Sequence, residues 1–179
     1  AAKRSRLVDT TRRIVTRSAE ETSTVGSRLA PFLVENDIIL LRGPLGAGKT
    51  AFVRGVVDGL DPKAAELVTS QSYVIVGEYP TEPLVTHIDL YRVSDTEEVF
   101  ALGYEELLYG PNRVALIEWP DFLEPFLEPD DAILDITIDR ESGDPDQRTI
   151  TAKSRVPRLV EAFQRATENL PLSEFPDNH

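Results

Sequence analysis

The chain has 179 residues, of which 41% are hydrophobic, and this length suits one domain with a hydrophobic core. It contains no cysteine and no apolar run as long as a membrane span, which argues against disulfides, thiolate metal sites and transmembrane segments. The formal net charge of −12 argues against a broad nucleic-acid-binding surface, since the phosphates would be repelled.

Charge is distributed unevenly along the chain. The first seventeen positions hold six cationic residues and one acid: Lys3, Arg4, Arg6, Arg12, Arg13 and Arg17 against Asp9. Such a segment is either a solvated, flexible end or a contact for RNA or an acidic partner. The polar first residues show no secretory signal pattern, so we expect a cytoplasmic protein without membrane contact. We expect a basic, flexible start over residues 1–11, one domain over 12–169 and a loose tail over 170–179.

Strand and helix patterns alternate in the first part of the domain. Residues 14–15 resemble a short strand, and Ser18 with Glu21 forms an S-x-x-E capping box that predicts the start of a helix. Pro31 marks a kink or the end of that helix, because proline cannot continue its hydrogen bonds. The apolar residues 38–41 then predict a buried strand.

Residues 43–50 read G-P-L-G-A-G-K-T, a complete G-x-x-x-x-G-K-[ST] pattern between that strand and a helix that begins near Thr50. Backbone N–H groups and the amino end of the helix would surround a phosphate, with Lys49 reaching the β- and γ-phosphates and Thr50 ligating Mg²⁺. The alternative is a chance glycine-rich turn. Because the flanking strand and helix both fit, we predict that a nucleoside triphosphate binds seven residues: Gly43, Gly46, Ala47, Gly48, Lys49, Thr50 and Ala51.

The middle of the chain predicts a hairpin, a helix and a central strand. Residues 74–79 and 84–89 have strand patterns, and the short link between them favours an antiparallel hairpin. Ser94 and Glu97 form a second capping box before a helix, and residues 114–118 are apolar enough to form a central strand.

The last part of the chain predicts antiparallel strands and a final helix. Residues 119–131 contain three prolines and read as a loop, while 133–139 alternate apolar and polar residues like a half-buried strand. A turn over 143–146 leads to a strand over 149–152, and a helix follows over 156–168. The whole pattern predicts an α/β, P-loop NTPase-like fold of three layers, with a mixed parallel and antiparallel sheet flanked by helices.

Two acids end predicted strands, where ligands bind in open α/β sheets. Asp89 follows residues 84–88, and Glu118 follows residues 114–117. An acid in this position can bind the Mg²⁺ of a nucleotide or orient the attacking water. The alternative for each is an acid where a strand reaches the surface, and the hairpin weakens the case for Asp89. We predict Lys49, Asp89 and Glu118 as the catalytic residues.

Several other side chains are candidates for switching or gating. His87 can be a base or a satisfied strand histidine, and Arg92 can stabilise charge on the γ-phosphate or pair with a nearby acid. Trp119, which follows Glu118, can stack beside the site or be a partly buried aromatic residue. Ser70 and Ser72 lie in a hydroxyl-rich loop that can sense the γ-phosphate, although most polar loops are inert.

The set of motifs resembles one family, the bacterial ATPase subunit of tRNA threonylcarbamoyladenosine biosynthesis, TsaE (formerly YjeE). The resemblance covers about residues 12–153 and rests on five segments in order: S-A-E-E-T at 18–22, the phosphate loop with its preceding L-R at 41–50, V-T-S-Q-S-Y at 68–73, H-I-D-L-Y-R at 87–92 and L-I-E-W-P at 116–120. The loop alone is generic, whereas the last two segments are specific to the family.

The resemblance implies an ATPase whose loop residues 46–51 bind the phosphates of ATP, with Mg²⁺ ligated by Thr50 and Glu118. It implies that Asp89 is a further acid needed for activity and that Trp119 lies beside the site. It also implies two partners, the threonylcarbamoyl transferase TsaD and its companion TsaB, which modify the adenosine beside the tRNA anticodon. The ATPase would reach tRNA only through that complex, and its hydrolysis would reset or regulate the complex.

Two departures from the family pattern and two alternative functions remain. The family usually has proline at Gln71 and a second threonine at Ala51, so this chain loses a rigid residue and a hydroxyl near the phosphates. A small-molecule kinase is one alternative, although residues 51–85 supply only Arg54 and Lys63 for a substrate lid. The other is a nucleotide-dependent switch without turnover. No clear internal arginine finger is visible, so we predict slow hydrolysis by the isolated protein.

Overall fold

The computed structural model describes residues 9–68 and 75–170, which form seven strands and six α-helices with short connections. The strands are β1 Thr10–Thr16, β2 Ile38–Arg42, β3 Val76–Tyr79, β4 Leu84–Asp89, β5 Arg113–Glu118, β6 Ile133–Arg140 and β7 Arg148–Ser154. The helices are α1 Ala19–Leu29, α2 Lys49–Leu60, α3 Pro62–Ala65, α4 Thr96–Ala101, α5 Tyr104–Tyr109 and α6 Pro157–Ala166. Three 3₁₀ turns cover Ala30–Phe32, Pro120–Phe122 and Glu124–Phe126.

All seven strands pair in one mixed sheet with the order β1-β7-β6-β2-β5-β4-β3. Four strands, β6, β2, β5 and β4, run parallel to one another, because helices or long connections carry the chain back between them. The hairpins β3–β4 and β6–β7 add antiparallel neighbours on either side. The predicted antiparallel hairpin is therefore confirmed within the described residues, where it covers 76–89, and the mixed sheet is confirmed as well.

Two hydrophobic layers cover the two faces of the sheet, as the alternating side chains of β2 show. Ile39 and Leu41 belong to a core formed with α1, α2 and α6, whereas Ile38 and Leu40 belong to a second core formed with α4 and α5. All four side chains are at most 3% exposed, as expected for a strand buried on both faces. The predicted three-layer α/β architecture is confirmed.

The predicted helix caps have different outcomes. Ser18 caps α1 and its Oγ accepts a hydrogen bond from the Glu21 N–H over 3.1 Å, as predicted. The second capping box is wrong by one residue. Asp95, not Ser94, caps α4 and accepts from the Glu98 N–H over 2.9 Å, while the Ser94 hydroxyl donates to the Glu98 carboxylate. A carboxylate accepts more strongly than a hydroxyl at a helix amino end, where the dipole also favours negative charge.

The ends of the domain differ slightly from the predicted boundaries. β1 begins at Thr10, within the predicted basic start, and Leu170, the first residue of the predicted tail, packs against the core. Residues 1–8, 69–74 and 171–179 lie outside the described residues, and with them most of the predicted flexible start and loose tail. None of the helices in the described ranges is both long and apolar enough to span a bilayer.

Helices α1 and α2 pack unusually closely because glycines lie at their crossing. A Cβ added at Gly55 would lie 1.9 Å from the Ser23 carbonyl oxygen, and one at Gly26 would lie 2.4 Å from the Phe52 carbonyl oxygen. Real Cβ contacts are much longer, so only glycine permits this approach. The contact fixes α2, which begins at the phosphate loop, against α1.

We expect Gly55→Ala to reduce the free energy of unfolding by about 1–3 kcal/mol, the usual cost of overpacking. Alanine favours a helix over glycine by about 1 kcal/mol, so a net loss would show that the contact with Ser23 dominates. Urea unfolding followed by circular dichroism measures the change. Asp58→Ala, on the exposed side of α2, is the control for helix propensity. A Gly55→Ala protein as stable as the wild type would contradict the close crossing.

Candidate functional site

The phosphate-loop sequence connects β2 to α2 at the carboxyl ends of the parallel strands. Gly48 caps α2 in a left-handed conformation, with φ of +112°, so the first N–H groups of the helix face the loop. Gly43 has φ of +139°, and a Cβ there would lie 2.1 Å from the Ile138 carbonyl oxygen of β6. The loop is therefore pressed against the neighbouring strand, and its glycines are required by the backbone. This is the geometry of an anion-binding loop.

Lys49 points back over the loop. Its Nζ donates hydrogen bonds to the carbonyl oxygens of Gly43 over 2.5 Å and of Pro44 over 2.9 Å, and it lies 4.2 Å from the centre of the Trp119 ring. The side chain is only 5% exposed. Burial lowers the pKa of the Lys49 ammonium, while the nearby carboxylates of Glu118 and Asp89 act in the opposite direction. A cation is thus held at the mouth of the loop.

Asp89 and Glu118 lie side by side because of the strand register. β4 runs parallel to β5, and Asp89 pairs with Glu118, which in turn pairs with Leu41 just before the loop. The expectation that the hairpin weakens the case for Asp89 was wrong, because only β3 is antiparallel and β4 belongs to the parallel set. The two acids therefore share the edge of the sheet at which the loop begins.

The two carboxyl groups have different surroundings. Glu118 is 3% exposed, whereas Asp89 is half-buried and accepts a hydrogen bond from the Tyr91 N–H over 3.0 Å. Burial raises the pKa of Asp89, the N–H of Tyr91 lowers it, and the charge of Glu118 raises it again. Placing a second negative charge in this corner therefore costs free energy that a bound cation would offset.

His87 contacts Glu118 directly. Both residues are buried, and His87 Nε2 lies 2.6 Å from Glu118 Oε2. When Glu118 is ionised it can only accept, so Nε2 carries the proton and donates. The Tyr79 ring stacks on the His87 ring, with the two ring centres 6.3 Å apart. His87 is thus a satisfied strand histidine that also orients one of the predicted catalytic acids.

Trp119 lies beside the loop in a strained conformation. Its φ is +56°, which is unusual for a bulky residue and costs on the order of 1–3 kcal/mol. The backbone N–H of Trp119 donates to the Leu41 carbonyl over 3.2 Å, and the centre of its ring lies 5.1 Å from that of the Tyr91 ring. The predicted position beside the site is therefore the observed one, and the ring covers Lys49.

Arg42 connects the start of the loop to the segment after Trp119. Its guanidinium donates to Asp135 over 2.8 Å, to Asp121 over 3.4 Å and to Glu124. Asp121 and Glu124 lie in the two 3₁₀ turns that follow Trp119. One arginine therefore links the end of β2 to the turns that hold the tryptophan, a contact that the sequence analysis missed because no local pattern indicates it.

A cavity of about 310 Å³ opens between the loop and the two acids. It is bordered by the loop and the start of α2 and by four residues from the ends of β4 and β5: Asp89, Tyr91, Glu118 and Trp119. The structure thus brings together all the predicted phosphate-binding residues from 46 to 51 with the predicted catalytic residues. Arg92 is exposed and lies in the turn after β4, close in sequence to Asp89. Ser70 and Ser72 lie outside the described residues.

The oxygen donors around the cavity suit a magnesium ion that arrives with a phosphate ligand. Thr50, Asp89 and Glu118 all border it. Among residues 9–68 and 75–170, no three His, Cys, Asp or Glu side chains form a preformed metal cage. Mg²⁺ usually binds one or two carboxylates together with substrate phosphates and keeps several waters. The donor set fits that mode of binding.

Two further arginines reach the loop from the hairpin β6–β7. Arg140 Nη2 donates to the Leu45 carbonyl over 3.0 Å, and Arg148 Nε donates to the Ala47 carbonyl over 2.9 Å. No motif in the sequence predicted either contact. The only signal in the sequence was their position on either side of the predicted turn over 143–146, which does not reveal the contact with the loop.

Comparison with known proteins gives a consistent result. The family model described as "Threonylcarbamoyl adenosine biosynthesis protein TsaE" matches residues 16–150. The tRNA threonylcarbamoyladenosine biosynthesis protein TsaE of Bacillus subtilis (strain 168) is 35% identical over 148 residues, which cover 82% of this chain and 89% of the relative. The protein of the same name from Treponema pallidum (strain Nichols) is 36% identical over 107 residues, or 60% of this chain and 77% of the relative.

A solved structure has a fold similar to that of this chain. The crystal structure of YdiB from Bacillus subtilis superposes with a TM-score of 0.69 and 27% sequence identity. The match covers 89% of this chain and 96% of that one.

We expect Asp89→Asn to stabilise the protein at neutral pH. Because folding raises the pKa of Asp89, the folded state opposes its charge above that pKa, and the penalty disappears once the carboxyl is protonated in both states. Asparagine keeps the acceptor for the Tyr91 N–H and removes the charge. Since the site is half-exposed, the gain in unfolding free energy should be below about 1 kcal/mol.

Urea unfolding at pH 7 and at decreasing pH measures this gain, which should shrink as the pH approaches the ordinary range of aspartate. Glu66→Gln removes the same charge from an exposed position and is the control. An Asp89→Asn protein that is less stable than the wild type at pH 7 would show that the charge of Asp89 is favourable in the empty site.

Proposed function

This chain belongs to the TsaE family of tRNA threonylcarbamoyladenosine biosynthesis proteins, and from this premise we propose that it is a Mg²⁺-dependent ATPase. One observation carries the proposal: the strand register sets Asp89 and Glu118 side by side at the mouth of the phosphate loop, across from Lys49. A loop for phosphates, a cation and two hard oxygen ligands are the parts that phosphoryl transfer requires.

The loop would bind the phosphates of ATP through backbone N–H groups within residues 46–51, including those at the amino end of α2. Lys49 would exchange its two loop carbonyls for oxygens of the β- and γ-phosphates, since the same ammonium group can donate to either kind of oxygen. Phosphate oxygens would also offset the effect of burial on the pKa of Lys49, because they add negative charge beside the ammonium.

Thr50 and Glu118 would hold Mg²⁺, with Asp89 beside them. The ion would neutralise charge that develops on the β- and γ-phosphates during hydrolysis. Glu118 has one oxygen engaged by His87, so His87 fixes the direction of the other oxygen toward the cavity. Asp89, which is more exposed, is the better placed of the two acids to orient an attacking water.

We propose slow turnover by the isolated protein. Three arginines near the site donate hydrogen bonds to other partners: Arg42 binds carboxylates, while Arg140 and Arg148 bind carbonyls of the loop. An arginine that stabilises the γ-phosphate in the transition state accelerates hydrolysis by about 10³–10⁵-fold in related phosphoryl-transfer enzymes. A partner that supplies such a group, or frees one, would therefore control the rate.

The proposed partners are the threonylcarbamoyl transferase TsaD and its companion TsaB, with tRNA reached only through their complex. In this role the chain does not transfer the threonylcarbamoyl group to adenosine, and its hydrolysis resets or regulates the transferase complex. The support is family membership together with a cavity that the phosphate-loop residues, Asp89 and Glu118 border. A tRNA-modifying role also places the protein in the cytoplasm.

Separate variants test binding and turnover. We expect Lys49→Ala to weaken ATP binding by at least about tenfold, because it removes a buried cation next to the phosphates. Glu118→Gln should leave ATP affinity within a few-fold of the wild type and lower turnover by about 10²-fold or more. Calorimetry with ATP and Mg²⁺ measures binding, and phosphate release measures turnover. Glu66→Gln is the charge-matched control. Unchanged turnover of Glu118→Gln would remove Glu118 from the mechanism.

Reconstitution tests the partners. We expect the transferase complex, assembled from TsaD and TsaB of the same organism, to increase phosphate release by this chain above its isolated rate. Modification of tRNA should proceed through multiple turnovers only when the wild-type chain and ATP are present. A fast isolated ATPase that ignores the complex would contradict partner control. Tight ATP binding without turnover, alone or in the complex, would instead identify a nucleotide-dependent switch.

A further inference from the structure

The outward side of the phosphate loop is held by arginines. Besides the two carbonyls that Lys49 binds, the next three carbonyls, those of residues 45–47, accept hydrogen bonds from the hairpin β6–β7. Arg140 binds the first of them over 3.0 Å, and Arg148 binds the second over 3.4 Å and the third over 2.9 Å. Five successive carbonyl oxygens of the loop are thus bound by cationic side chains.

The two arginines come from paired positions of one hairpin. Arg140 and Arg148 are directly opposite each other in the antiparallel register, so their side chains share a face. Like charges in such a pair repel each other, so neighbouring acceptors are needed to offset the repulsion. The loop carbonyls are those acceptors, and they suit guanidinium groups, which have five donors and no acceptor of their own.

Other contacts are consistent with a built arrangement. Arg148 Nη1 also donates to the carbonyls of Pro145 over 2.6 Å and Gln147 over 3.0 Å, so its own turn holds the guanidinium in place. A Cβ added at Gly46 would lie 2.4 Å from Arg140 Nη2, so the glycine allows the arginine to approach.

The direction of the carbonyls determines the direction of the N–H groups that a phosphate would meet. In a trans peptide unit the C=O and the following N–H point in opposite directions. Holding the carbonyls of residues 45–47 outward therefore turns the N–H groups of residues 46–48 inward. The N–H of Ala47 is used by the Pro44 carbonyl over 3.1 Å, which leaves Gly46 and Gly48 as the donors that the arginines aim at the cavity.

We propose that Arg140 and Arg148 are positioning residues that hold the empty phosphate loop in its anion-binding shape, so that a nucleotide di- or triphosphate binds without first ordering the loop. This inference rests on the proposed function and deepens it. Lys49 cannot supply this constraint, because it must leave its carbonyls to reach the phosphates. The arginines bind from outside and keep their contacts when the ligand is present.

Preorganisation predicts a specific pattern of variants. Arg148→Met keeps the apolar stem and removes every donor, while Arg148→Lys keeps the charge but cannot bind two loop carbonyls with one rigid fork. Arg165→Met is the matched control, because Arg165 is an exposed arginine of α6 that pairs with Glu161 and lies on a different element from the loop's hairpin. Arg140→Met tests the second arginine.

Two measurements are made on each protein, with thermal unfolding as a check of folding. We expect calorimetry to show that ADP binds Arg148→Met about tenfold more weakly than the wild type, Arg148→Lys nearly as weakly, and Arg165→Met like the wild type. Hydrogen exchange of the nucleotide-free proteins should be faster in residues 43–48 of Arg148→Met and unchanged there in Arg165→Met. The exchange measurement does not depend on nucleotide binding.

The outcomes separate this inference from the proposed function. If the wild type binds neither ADP nor ATP, the proposed function fails, and exchange still reports whether the loop is held. If the wild type binds and Arg148→Met binds within twofold of it, with unchanged exchange in the loop, the positioning role is overturned. Wild-type affinity in Arg148→Lys would also overturn it, because the charge alone would then suffice.

Discussion

The register of three parallel strands is the constraint on which the site depends. Leu41, Glu118 and Asp89 form one row across β2, β5 and β4, so both acids lie at the same height in the sheet as Leu41, which is two residues before Gly43. A shift by one residue in either pairing would turn an acid to the other face, into the core under α4 and α5. All six residues of β5 are buried, so Glu118 is a carboxylate within a strand that is covered on both faces.

The same alternation explains the neighbours of the acids. His87 lies two residues before Asp89 and therefore shares its face, which brings it to Glu118. Positively charged side chains lie on two sides of the loop. Lys49 lies inside, where a phosphate would bind, and the arginines of β6–β7 lie outside, on the carbonyl side. Arg42 then links the end of β2 to the turns after Trp119, so the strained tryptophan is held by its neighbours on both sides.

Local patterns predicted most of the elements because each depends on residues close in sequence. The cap at Ser18, the strand before the loop and the hairpin over residues 76–89 are confirmed for this reason. The second cap was assigned to Ser94 because the sequence offers two overlapping S/D-x-x-E pairs, and the geometry selects Asp95. A hairpin fixes the relation of β4 to β3 but leaves open which strand lies on the other side of β4, and only the structure shows that this strand is β5. The contacts of Arg140 and Arg148 were beyond any local pattern, as they span about a hundred residues.

By itself, the sequence determined the phosphate-loop motif, the two candidate acids and the family, because these depend on the order and spacing of residue types. Tertiary structure decided which side chains meet. It joined His87 to Glu118, placed Asp89 in the same row, covered Lys49 with Trp119 and set two arginines behind the loop. The physical reason is strand order: nothing in the spacing of residues along the chain states that β4 lies beside β5, or that β6 passes 2.1 Å from where a Cβ of Gly43 would be.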